Sequence, residues 1–126
     1  MTFKFYSDGA NNYNGWAANI SCTTTPLTVY NMSSGIINTC SGVFYDNAGA
    51  GNYYPHNEDR TMTFCSDTND FIKVNFTPNN FNISTEDSLF VYDGPDISSN
   101  LIAVLTGNGT PEEISSVTGS CLTFKF

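Results

Sequence analysis

Hydrophobic and polar residues alternate along this chain in short runs, each four to six residues long. The alternation is clear in the runs 16–20, 61–64, 71–76, 88–92 and 122–126. Alternation with a period of two places every second side chain on one face, as in a β-strand with one buried side. Turn-forming stretches rich in Asn, Asp and Gly separate the runs. The pattern predicts an all-β protein, built as a sandwich of two antiparallel sheets.

No stretch shows a sustained helical period. One segment shows neither the helical period nor the strand alternation. Residues 23–29 are rich in threonine and contain a proline, which is typical of a linker. We therefore expect residues 1–22 to form a separate opening hairpin, followed by this linker and by the body, residues 30–126. A chain of 126 residues is most simply a single domain, residues 1–126.

The composition of the chain restricts its possible binding partners more than it restricts its possible folds. Charged residues make up 13% of the chain and the net charge is −8, with only four Lys and Arg residues. Four basic side chains cannot track a phosphate backbone, so nucleic acid is excluded as a partner. An acidic surface instead suits divalent cations or basic partners. No run is long and apolar enough for membrane insertion.

The four cysteines, Cys22, Cys40, Cys65 and Cys121, are widely spaced and form no CxxC pair. Four cysteines in a small loop-rich chain indicate two disulfides and an oxidising compartment, hence an extracellular or cell-surface location. Spacing alone leaves all three pairings open.

The tetrapeptide TFKF occurs twice, at residues 2–5 and at residues 123–126. The copies are separated by the length of one small domain. A repeat at this spacing indicates a segment taken from a tandem array.

From residue 40 onward the order of features resembles the CUB domain, in its bacterial secreted form. The similarity rests on CSGVFYDNAGAGNYYPHNEDRTMTFC, on FNISTEDSLFVYDG and on the closing LTFKF strand. The strands that should follow LTFKF are found at the front of the chain, in TFKFYSDG and GWAANISC. The resemblance therefore implies a CUB-like jelly-roll sandwich in circularly permuted order, completed by the N-terminal hairpin.

The circular permutation implies where the N-terminal segment, residues 1–22, packs on the body. We expect GWAANISC to pair beside CLTFKF, either within one chain through the linker or by a swap with a neighbouring molecule. The two TFKF copies then compete for one position. We expect the strand 121–126 to hold the central place and residues 2–5 to lie at an edge or to be frayed.

The resemblance also implies the disulfides. Cys40–Cys65 corresponds to the first CUB disulfide. Cys22–Cys121 would join the two strands of the natural-frame hairpin.

Many CUB domains bind Ca²⁺ through acidic residues at one end of the sandwich, so the resemblance implies a calcium site here. The family glutamate is replaced by Ser84, and Glu86 stands nearby as a substitute. The candidate metal ligands are Asp8, Asp46, Glu86 and Asp87. The candidate binding residues are Asn11, Tyr53 and Tyr54, the tyrosines as carboxylate-orienting groups. The alternatives are that these aspartates are ordinary turn residues and that the tyrosines close the ends of the sandwich.

Together these observations predict a non-catalytic extracellular module, one repeat of a bacterial surface or secreted adhesin. Its partners would be a protein or glycan ligand, or neighbouring repeats of the same protein. The alternative is a substrate- or glycan-binding accessory domain of a secreted hydrolase.

Overall fold

The computed structural model describes residues 2–11, 13–20, 27–77, 80–109 and 111–126. Within these residues every regular element is a β-strand, and no helix is long and apolar enough to cross a membrane. The strands are β1 (Thr2–Tyr6), β2 (Ala17–Ile20), β3 (Val29–Asn31), β4 (Gly35–Asn38), β5 (Gly42–Tyr45), β6 (Asp59–Cys65), β7 (Lys73–Phe76), β8 (Phe81–Asn82), β9 (Ser88–Asp93), β10 (Asn100–Leu105), β11 (Asn108–Gly109), β12 (Ile114–Ser115) and β13 (Cys121–Lys125).

Two large sheets form a β-sandwich, so the predicted all-β fold class is confirmed. One sheet has six strands in the order β10-β9-β1-β13-β6-β4, and the other has five in the order β12-β7-β2-β5-β3. A short third sheet pairs β11 with β8. Most neighbours are antiparallel; the pairs β1–β13, β4–β6 and β3–β5 are parallel.

The core lies between the two large sheets, where the alternating residues meet. In β7, Val74 and Phe76 are buried while Lys73 and Asn75 are exposed, as the alternation predicted. The Phe44 ring of β5 packs edge-to-face on the Phe124 ring of β13, with the ring centroids 4.6 Å apart. Such contacts join the sheets through aromatic side chains, which bury large areas and favour edge-on geometry.

The N-terminal segment completes the sandwich in a different way from the one predicted. Strand β2 pairs with β5 and β7 in the five-stranded sheet, not with β13. The predicted pairing of GWAANISC beside CLTFKF is therefore wrong, and β1 and β2 do not form a hairpin. Because β1 and β2 belong to opposite sheets, the connection between them crosses from one layer to the other. Most of the predicted linker 23–29 lies outside the described residues, and Val29 already belongs to β3.

The first TFKF copy is not at an edge. Strands β1 and β13 both lie in the interior of the six-stranded sheet, where each pairs with β6 and β9, so the prediction that residues 2–5 lie at an edge or are frayed is wrong. Phe3 and Phe5 are fully buried. The alternating pattern that buries Phe124 and Phe126 is the same in both copies, and both copies therefore suit a central strand.

The disulfide pairing also differs from both predicted pairs. Cys65 is bonded to Cys121, so neither Cys40–Cys65 nor Cys22–Cys121 is formed. The reason is strand register: Cys65 ends β6, Cys121 begins β13, and the two face each other across the antiparallel pair. Cys40 is a buried free thiol, and its Sγ lies 3.0 Å from Ser66 Oγ. Cys22 lies outside the described residues.

Candidate functional site

An acidic cluster forms where β1 ends and β9 begins. The two strands run antiparallel, with Tyr6 opposite Ser88, so the residue after one strand meets the residue before the other. As a result the backbone N–H of Asp8 donates to Asp87 Oδ1 at 2.8 Å. The contact joins positions 79 residues apart in the chain, and it brings together two of the aspartates that the sequence singled out.

Tyr54 holds the other oxygen of the Asp87 carboxylate. Its hydroxyl donates to Asp87 Oδ2 at 2.7 Å and accepts the backbone N–H of Ser84 at 2.9 Å. Tyr54 is completely buried, and burial raises the pKa of its hydroxyl well above the ordinary value. The hydroxyl therefore fixes the orientation of the Asp87 carboxylate, and the same side chain also packs in the core.

Burial governs the charge state of Asp87. The side chain is almost completely buried, and this desolvation raises the pKa of its carboxyl above the ordinary value. The hydrogen bonds from Tyr54 and from the Asp8 backbone oppose the rise, because they stabilise the ionised form. The hydroxyl of Thr106 donates to the Asp87 backbone carbonyl at 2.7 Å, which fixes the turn that carries the carboxylate.

Glu86 extends the cluster toward solvent. The neighbouring carboxyl of Asp8 is the main reason that the pKa of Glu86 is raised. Asp8 also makes a local contact, since its Oδ1 accepts the Ala10 N–H at 2.9 Å. Two neighbouring carboxyl groups favour a shared proton or a cation between them, since both cannot remain ionised without cost.

Asp46 stands apart from this cluster. It follows β5, is completely buried, and accepts the Ala48 N–H through Oδ1 at 2.8 Å. Its Oδ2 has no hydrogen-bond partner within the described part of the chain. Burial raises the pKa of Asp46 to about 7. The carboxylate packs against the backbone of Gly15, so it belongs to the interior and not to the acidic end.

The remaining predicted binding residues are exposed. Tyr53 is 63% exposed, and Asn11 is exposed with a φ of 54°. Within the described part of the chain, neither side chain is hydrogen-bonded to Asp8, Glu86 or Asp87. Sequence reasoning missed Thr106 and the backbone of Ser84, because their contribution is made through turn geometry and leaves no motif. Among the described residues, no group of three or more His, Cys, Asp or Glu side chains is arranged to hold a metal ion.

Comparison with known proteins gives no relative for this chain. No protein-family model, no characterised protein and no solved structure matches it. The functional argument therefore rests on the residues and contacts described above.

Proposed function

We propose that this chain is a non-catalytic, extracellular binding module of the CUB type, one repeat of a bacterial surface or secreted adhesin, with calcium-dependent ligand binding at its acidic end. The observation that carries the proposal is the Asp8–Asp87 contact supported by Tyr54. It joins the two positions at which the resemblance expects carboxylate ligands, although they lie at opposite ends of the sequence.

Three further features support a cation at this end. The side-chain groups at this end are carboxylates, which are hard oxygen ligands of the kind that Ca²⁺ prefers. Glu86 neighbours Asp8 and supplies an exposed carboxyl two residues after Ser84, the position at which the family has a glutamate. The ion pairs of the described residues link Arg60, Lys73 and Lys125 to other acids, so no basic side chain of those pairs neutralises the cluster.

In this proposal calcium binding draws the carboxylates of Asp8, Glu86 and Asp87 together, because the described residues do not yet form a group of three ligands. Tyr54 keeps the Asp87 carboxylate in one orientation. Bound calcium would supply fixed positive charge that holds the loop carboxylates in place for a basic group of a ligand. The Cys65–Cys121 disulfide supports the extracellular location, since such bonds persist in oxidising compartments.

The repeat supports the tandem arrangement. The two TFKF copies are separated by the length of one small domain, and each forms a strand of the same sheet. Equivalent strands that recur at this spacing are what successive units of a tandem array would supply.

Thermal melting in calcium and in EDTA tests the proposal. Ca²⁺ at a hundredfold excess over its Kd stabilises a folded protein by about 2.7 kcal/mol, so the melting temperature should rise. Asp8→Asn should remove the rise, because it deletes a ligand charge but keeps the backbone N–H that binds Asp87. Glu112→Gln, an exposed acid elsewhere, should retain it. An identical melting temperature in millimolar Ca²⁺ and in EDTA would exclude the calcium site.

A ligand screen separates adhesion from the alternative. Labelled chain is applied to glycan and basic-peptide arrays in calcium and in EDTA, and the adhesin proposal expects binding that EDTA abolishes. Retention on insoluble polysaccharide in both buffers would instead favour the hydrolase accessory domain.

A further inference from the structure

A pocket of about 260 Å³ opens on the outer face of the five-stranded sheet. Two of its lining residues, Ala17 of β2 and Tyr45 of β5, lie opposite each other across an antiparallel strand pair. They alternate with the buried Ala18 and Phe44, so their side chains face away from the core. The rest of the lining of this asparagine pocket is Asn14, Trp16, Gly49, Ala50, Gly51, Asn80 and Asn82.

Backbone hydrogen bonds hold both walls of the asparagine pocket in place. On one side the Ala17 N–H donates to the Asn80 carbonyl at 3.1 Å. On the same side the Asn82 N–H donates to the Gly15 carbonyl. The other wall is the loop 46–52, which two backbone hydrogen bonds of 3.2 and 3.3 Å close into consecutive turns. The pocket is therefore largely formed before a ligand arrives, which lowers the ordering cost of binding.

The chemistry of the lining favours a neutral polar ligand. Among the described residues that line the pocket none carries a charge, although the net charge of the chain is −8. The carboxamides of Asn14, Asn80 and Asn82 make no side-chain hydrogen bond to another described residue. Each carboxamide offers two N–H donors and an oxygen acceptor, and a hydroxyl group can both donate and accept. A ligand with several hydroxyl groups matches this set.

Trp16 adds a buried donor to the lining. The residue is 1% exposed, and its Nε1 has no hydrogen-bond partner within the described part of the chain. Buried donors are nearly always paired in folded proteins, because an unpaired donor has lost its water without replacement. An incoming ligand oxygen would supply the acceptor that this indole N–H lacks.

The volume of the pocket limits the size of the ligand. A volume of about 260 Å³ is just below the range of about 300–1,000 Å³ that encloses drug-sized molecules. The pocket therefore suits a single ring. At an ordinary ligand efficiency, a ring of about twelve non-hydrogen atoms binds with a Kd in the millimolar range.

We propose that the asparagine pocket binds one neutral, hydroxyl-rich sugar ring. The three carboxamides exchange hydrogen bonds with the ring hydroxyls, and the Trp16 N–H donates to a ligand oxygen. The Tyr45 side chain packs against the C–H groups of the ring, since an aromatic side chain offers a large apolar surface.

This sugar site is separate from the proposed calcium site. None of Asp8, Glu86 and Asp87 lines the asparagine pocket, so sugar binding there needs no calcium. A complex with a millimolar Kd dissociates quickly and is lost when an array is washed, so array screening and titration with free sugar measure different sites.

NMR titration of the full ¹⁵N-labelled chain in EDTA tests the proposal, with glucose, galactose and N-acetylglucosamine as probes. At least one sugar should shift the backbone amides of residues 49–51 and 80–82, with saturation at millimolar concentration. Asn14→Ala with Asn80→Ala should raise the Kd about tenfold or more, because two hydrogen-bonding side chains are lost. Both positions are exposed, and the backbone carbonyl of residue 80 remains.

Further variants separate the pocket from the rest of the surface. Ala50→Leu places a larger side chain in the lining and should also weaken binding. Asn100→Ala, at an exposed asparagine outside the pocket, should leave the Kd unchanged. Asp8→Asn should leave the sugar titration unchanged, and the paired asparagine variant should keep any rise of the melting temperature in calcium. Failure of the sugar site and failure of the calcium site are therefore distinguishable.

Three results would overturn the proposal. The first is the absence of shifts at residues 49–51 and 80–82 with every probe, at concentrations about tenfold above the expected Kd. The second is an unchanged Kd in the paired asparagine variant. The third is a set of shifts confined to the acidic end, at residues 8–10 and 84–87.

Discussion

Replacement of Asp46 by asparagine should make the protein more tolerant of alkaline conditions. Asp46 is completely buried, one carboxylate oxygen has no partner among the described residues, and burial raises its pKa from 3.8 to about 7. The folded state therefore disfavours the ionised form. Asparagine keeps the oxygen that accepts the Ala48 N–H, and it cannot ionise.

The direction of the pH effect on stability follows from the pKa of Asp46 in the folded and in the unfolded protein. The folded pKa is higher than the unfolded one, so stability from this group is complete below about pH 4 and is lost as pH rises to about 7. A difference of about three units in pKa, at about 1.4 kcal/mol each, corresponds to about 4 kcal/mol of unfolding free energy. The new amide group adds a buried donor that costs about 1–3 kcal/mol, but this cost does not depend on pH.

The assay is urea denaturation followed by Trp16 fluorescence, at steps between about pH 4 and about pH 8. The stability of Asp46→Asn relative to the parent should increase by about 4 kcal/mol across this range. Because the other titrating groups are common to both proteins, they cancel in the difference. A difference that stays constant with pH would refute the argument.

A second buried aspartate provides the control. Both carboxylate oxygens of Asp93 accept hydrogen bonds, from the backbone N–H groups of Val117 and Thr118 at 3.1 and 3.0 Å. In Asp93→Asn one of these donors meets an amide N–H₂ group instead of an acceptor. This variant should therefore be less stable than the parent at about pH 8, opposite in sign to Asp46→Asn.

The remaining predictions concern one hydroxyl, one disulfide and one glycine. Tyr54→Phe should cost about 1–3 kcal/mol in thermal melts, because a buried carboxylate and a buried N–H lose their partner, whereas Tyr53→Phe at an exposed position should be neutral. Cys65→Ser opens a disulfide with a sequence separation of 56, so the unfolding free energy should fall by about 4 kcal/mol on the chain-entropy model. An unchanged stability would show that this bond is not formed. Gly15→Ala should destabilise by about 1–3 kcal/mol more than Gly51→Ala. Both glycines have positive φ, but only a Cβ at Gly15 would meet a carboxylate; equal losses would contradict that contact.

Which residues are buried could be predicted from the sequence, because a pleated strand alternates by geometry. The runs 71–76 and 88–92 alternate with a period of two, and the residues that share one face of each run, Ile72 with Val74 and Leu89 with Val91, are all fully buried. Strand partners could not be assigned in this way. The inner face of β2 suits either sheet, and its choice of β5 and β7 is set by contacts far away in the chain.

The acidic cluster, like the strand pairing, depends on contacts between residues far apart in the sequence, which local pattern does not predict. The contact of Asp8 with Asp87 was anticipated because a family resemblance supplied the long-range pairing that local pattern lacks. The disulfide was missed for the opposite reason, since the resemblance supplied a pairing that the register of β6 and β13 does not allow. Resemblance is therefore most useful where it predicts which loops meet, and least useful where one residue of register decides the outcome.

The TFKF repeat shows most clearly that local sequence pattern alone does not assign strand partners. Two identical tetrapeptides have identical propensity and identical alternation, so local pattern cannot say which strand partners each copy takes. Only non-local terms distinguish the two copies. The disulfide holds Cys121 beside Cys65, which ties the C-terminal copy to β6. The N-terminal copy is instead tied through the chain to β2, which lies in the opposite sheet. The place of each copy in the fold therefore depends on how it is tethered and not on what its four residues are.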